Sequence, residues 1–95
     1  MKNKNKNINK IALESLSMDL LRVAIGLNRK SFNNADRFLK EAIKRKNEVN
    51  NLLVKPYLRK ILQRIENLEK SDEIKKAEDS LMYSTLIRNY CLKFL

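Results

Sequence analysis

Two carboxylates three residues apart on a helix can share a proton or a hard cation, and Glu66 with Glu69 has that spacing. Glu78 and Asp79 form a second acidic pair. Neither pair has the companions that catalysis needs. The chain contains no His, so the commonest general acid–base is missing. The same absence excludes the Cys/His spacings of structural zinc and the inward Glu-x-x-His pairs of di-iron bundles. These acids fall on or near the polar sides of their segments, as solvated charge does. Cys91 stands alone between Tyr90 and Leu92, the setting of an inert buried thiol rather than a nucleophile, and it has no disulfide partner within the chain. Tyr57, Tyr83 and Tyr90 occupy apolar helical faces. The single glycine, Gly26, cannot build a phosphate-cradling loop. The sequence thus predicts a non-enzymatic protein without a metal or cofactor site and without a small-molecule substrate.

The elements that carry these residues are helical. One Gly and one Pro in 95 residues leave too little punctuation for a sheet of many tight turns, whereas Leu, Lys, Glu and Arg are strong helix formers. The Lys/Asn alternation from Lys2 to Asn7 has nothing to bury, so residues 1–9 read as a disordered basic tail and residues 10–95 as one domain. A first helix is expected over 10–27, with Leu13, Leu16, Leu20, Ala24 and Leu27 on one face and Gly26 and Asn28 near its end. A second should cover 32–47, capped by Ser31 or Asn33. Pro56 suits the first turn of a third helix, whose stripe runs from Val54 through Ile61 and Ile65 to Leu68. Ser71 or Asp72 should cap a fourth over 72–92. Four helices with short connections predict an all-α, antiparallel up-down bundle.

Two of these helices hold more apolar surface than one core needs. On the first, Ile11, Met18, Leu21 and Ile25 lie off the leucine stripe. On the fourth, Ile74, Ala77, Leu81 and Thr85 make one face, while Tyr83, Ile87, Tyr90 and Phe94 make the nearly opposite one. A helix apolar on two sides buries both in its own fold or one against a partner. The second stripes, Ile11 to Ile25 and Tyr83 to Phe94, therefore predict an interface for a second copy (a homodimer) or for another protein.

The formal charge of +10 is unevenly spread. Residues 1–10 contribute +4, residues 51–65 another +4 without an acid, and residues 66–80 a net of −3. Lys and Asn enrichment in the tail also follows from AT-rich coding sequence. On the third helix Lys55, Arg59, Lys60 and Arg64 point away from the apolar stripe, and Arg29 and Lys30 in the first connection could extend the same field. That predicts, as the alternative function, binding of RNA or DNA through phosphates. No aromatics interleave with these bases along the chain, so stacking has no evident platform. A membrane-surface role is weaker, because the third helix needs its apolar stripe for the core. No stretch approaches a membrane span or a signal peptide, so the expected location is cytoplasmic.

Overall fold

The computed structural model describes residues 2–95, and their side chains from Ile8 onwards. It is an all-α bundle of four helices: α1 Lys2–Asn28, α2 Phe32–Glu48, α3 Pro56–Ile65 and α4 Glu73–Phe94. No strand occurs among the described residues. Short 3₁₀ turns at Asn51–Leu53 and Glu66–Lys70 bracket α3.

The longest element, α1, packs along α2 on one flank and along α4 on the other, while α3 packs against α4 and the 3₁₀ turn that follows it. Leu13, Leu16, Leu20 and Val23 of α1 meet Leu39 and Ala42 of α2, Leu58, Ile61, Leu62 and Ile65 of α3, and Ile87 of α4 in one core. The predicted α3 stripe is core except at Tyr57, which is half-exposed. Its helix is shorter than expected, because the chain tightens to 3₁₀ at Glu66 and still delivers Leu68 to the interior.

Local signals explain most boundaries. Pro56 occupies the first turn of α3, and the Asp72 side chain accepts from the Lys75 N–H at 2.9 Å to cap α4. Ser31 precedes α2 but makes no side-chain cap. α1 closes in a Schellman arrangement, with Ser31 N–H donating to the Gly26 carbonyl at 2.7 Å and Lys30 N–H to that of Leu27 at 3.1 Å. The left-handed residue is Lys30, φ 59°, where a side chain costs roughly 1 kcal/mol relative to Gly. Gly26 serves a different purpose from the helix stop expected of it. It lies inside α1, where a Cβ would stand 3.2 Å from Ala35 Cβ and 3.3 Å from the Ala35 Cα and N. Its missing side chain lets α1 and α2 approach closely.

The start of the packed domain also moves. Ile8 and Asn9 continue α1, and Asn9 is 1% exposed. Its amide reads the backbone of Asn50 in both directions, donating to the carbonyl at 3.2 Å and accepting from the N–H at 2.9 Å. Residue 9 therefore belongs to the bundle. The rest of the expected tail, residues 1–7, lies outside the residues with described side chains.

Polar side chains also lie buried along the seams of α1. Ser17 and Ser84 exchange hydroxyl-to-carbonyl hydrogen bonds across α1 and α4, at 2.9 and 2.7 Å. Asp19, buried at the α1–α2 seam, lies 3.5 Å from Arg22. Burial raises its carboxyl above the usual range, and the charges of Arg22 and Arg45 only partly oppose that. An acid with a raised folded-state pKa favours folding while protonated. That contribution is complete below 3.8 and is lost as pH rises through the folded value. Asp19→Asn should therefore be more favourable relative to wild type at pH 7 than at pH 3. Urea unfolding at the two pH values measures this, and an equal offset at both would contradict it.

Candidate functional site

The residues with reactive side chains hold structural positions. Cys91 is buried, and its thiol is pushed up to about 11, by burial first and by the Glu14 charge second. It is un-ionised at neutral pH and a poor nucleophile. The Tyr90 hydroxyl accepts from the Lys55 N–H at 3.1 Å and so holds the start of α3 on α4. Tyr83 is buried as well, whereas Tyr57 is half-exposed, with its ring 5.8 Å edge-on to Tyr90. Glu66 forms an ion pair with Lys46 of α2. Among the described residues no three Asp, Glu, Cys or His side chains converge on a metal position.

The apolar surplus is real on α1 and exchanged on α4. Ile11, Met18 and Ile25 face solvent, Ile11 at 66% exposure, with Leu21 half-buried beside them. On α4 the expected interface residues Tyr83, Ile87 and Tyr90 are instead core, and Phe94 packs on that core. They turn inward because α3 and α1 both cover that side of α4. The opposite face is the open one, with Ile74 and Leu92 each 76% exposed and Leu81 half-exposed. Helical periodicity identified the two faces of α4, but it held no sign of which one the fold would cover.

The two open strips adjoin. α1 and α4 run antiparallel, so that Met18, Glu14, Arg88, Cys91 and Leu92 line one shallow depression. Leu27, Phe32, Ile74, Ala77 and Leu81 line another towards the opposite end. The two depressions lie along one α1/α4 face, with Glu14 and Arg88 in the first and Lys30, Glu73 and Glu78 in the second as its charges.

The expected basic field divides. Lys55, Lys60 and Arg64 are exposed, and Arg59 is half-buried with its Nε enclosed and unpaired. Arg29 and Lys30 do not join them. They follow the far end of α1, about 20 residues and hence ~30 Å along the helix from Asn9, which touches the connection leading to Lys55. A second feature was invisible in sequence order. Phe94 of α4 comes under the ammonium groups of both Lys55 and Lys93, 4.7 and 5.3 Å from its centroid, and stacks on Tyr90 at 4.9 Å. Aromatic and basic residues therefore do meet, between α3 and α4 rather than within either.

The fold and these surfaces define a small all-α bundle whose candidate site is an exposed face, not an enclosed cleft. No family model matches the chain, and no curated protein or solved structure is similar to it. No helix among the described residues is long and apolar enough to cross a membrane.

Proposed function

We propose that the protein is a non-enzymatic interaction module that pairs with a second copy of itself through the α1/α4 face. The observation that carries this is the set of exposed apolar side chains on α1 and α4, Ile11, Met18, Ile25, Ile74, Leu81 and Leu92. Exposed apolar side chains gathered on one face are characteristic of association surfaces. Self-pairing is favoured over other occupants by two properties of the face. Ile11, Met18 and Ile25 are spaced by sevens, so an antiparallel twofold about Met18 sets each Ile11 against the other copy's Ile25, as a self-complementary interface requires. The charges in and beside the strip are also balanced, with Glu14 and Glu78 against Arg22 and Arg88. Two copies of a chain with net charge +10 repel most where its bases stand unopposed by acids, and the balanced charges of this face add little to that repulsion.

Sedimentation equilibrium tests the reading. The expected mass is twice the 11.2 kDa of the chain. Met18→Lys places two like charges at the twofold centre and should weaken the dimer at least about 100-fold, or ~2.7 kcal/mol. Its unfolding transition should stay near wild type, because Met18 is half-exposed. A wild-type monomer at several hundred micromolar would refute self-pairing.

A further inference from the structure

The net charge of the protein arises in three acid-free stretches, and the fold brings Asn9, the Asn50–Lys55 connection and the end of α4 together at one end. Residues 1–13, 49–65 and 80–95 contain no Asp or Glu and carry four, four and two Lys or Arg, which equals the formal +10. Everywhere else bases and acids balance at eleven each. In sequence these stretches are far apart. In the bundle, the start of α1 meets the α2–α3 connection through Asn9 and Asn50, and that connection meets the end of α4 through Lys55, Tyr90 and Phe94.

This acid-free pole also carries exposed aliphatic side chains. Leu52 is 86% exposed, and Leu53 and Ile8 are about half-exposed. Their position is not slack. The Asn50 side chain accepts from the Leu52 N–H at 3.1 Å, and the buried Asn9 holds the Asn50 backbone from both sides. A buried polar side chain thus fixes a turn whose two leucines point into water.

We propose that this pole is a docking surface for anionic lipid bilayers, with Leu52 and Leu53 entering the boundary between headgroups and acyl chains. Lys10, Lys55 and Lys93 belong to the same pole, where Lys55 and Lys93 flank Phe94, and meet the lipid phosphates. Lysine stems bury along apolar material while the ammonium stays at the interface, and a polybasic ring adds electrostatic attraction to acidic lipids. Single-stranded nucleic acid would use the same charges, but leucines give it no stacking platform, and the rings here are the half-exposed Tyr57 and the partly buried Phe94. The α3 stripe that forms the core takes no part, so docking leaves the fold intact.

The test is co-sedimentation with phosphatidylcholine vesicles with and without about 30% phosphatidylserine, at low and high salt. Binding is expected only to the anionic vesicles, weakening as salt screens the lysines. Leu52→Ser with Leu53→Ser should lower it at least about tenfold, from the lost transfer of the leucines. The chain has no Trp, so Leu52→Trp supplies a single fluorophore whose emission should shift to the blue on adding anionic vesicles. Phe32→Trp, at the opposite end, should show no shift. Failure to bind anionic vesicles at low salt would overturn the proposal, as would binding that the serine substitutions leave within about twofold of wild type. Preferential, leucine-independent binding of a 20-mer single-stranded oligonucleotide would overturn it in favour of nucleic acid.

Discussion

Asn9→Leu should destabilise the protein by about 2–5 kcal/mol, a loss of ten or more degrees in melting temperature for a domain of this size. Asn9 is nearly isosteric with Leu, so the change isolates hydrogen bonding from volume. The amide satisfies both backbone groups of Asn50 in a part-buried position, and a leucine leaves the N–H and the carbonyl without partners there. Each orphaned group costs about 1–3 kcal/mol, well above the net worth of a hydrogen bond that is merely absent. The apolar gain from a buried Leu offsets part of this, which sets the lower bound. Thermal unfolding followed by circular dichroism measures the loss. Wild-type stability in Asn9→Leu would mean that the Asn50 backbone finds other partners and that the bundle begins after residue 9.

Gly26→Leu is expected to destabilise the protein as well, with a net loss of about 2 kcal/mol. Two effects oppose each other at this position. A side chain in a helix interior recovers about 1 kcal/mol of propensity relative to Gly. Against it stands Ala35, whose Cβ, Cα and N lie 3.2 to 3.3 Å from the place of any Cβ. Two of these three atoms are backbone, so relief requires α1 and α2 to separate along their whole seam, and overpacking of this kind costs about 1–3 kcal/mol or more. Gly26→Ala separates the effects: its small clash and its propensity gain nearly cancel, and its denaturant midpoint should lie within about 1 kcal/mol of wild type. If leucine were tolerated as well as alanine, the close α1–α2 crossing would not be a constraint on stability.

Both predictions fall on residues whose role the sequence hides. Asn9 closes a Lys/Asn-rich stretch that composition alone assigns to a tail, and Gly26 sits where a helix stop is the natural reading. In each case the partner is distant or on another helix: Asn50 is 41 residues away, and Ala35 lies across the α1–α2 turn. Short-range patterns carry no information about such pairs.

The same division runs through the surfaces. Local sequence signals were sufficient to determine the helical class, the four elements, a cap at Ser71 or Asp72, most of the core stripe of α3 and the presence of surplus apolar faces on α1 and α4, because periodicity and capping are properties of a few adjacent turns. They could not choose between the two faces of α4. Tyr83, Ile87 and Tyr90 are as apolar as Ile74, Leu81 and Leu92, and only the placement of α3 and α1 on one side decides which set is buried. Charge behaved likewise. Composition determined the +10, but the balance of the remaining surface and the convergence of three acid-free stretches on one pole depend on chain reversal. A bundle whose helices alternate in direction sets the beginning of α1 and the end of α4 side by side, and it separates Arg29 and Lys30 from the basic residues of α3 that seemed their neighbours.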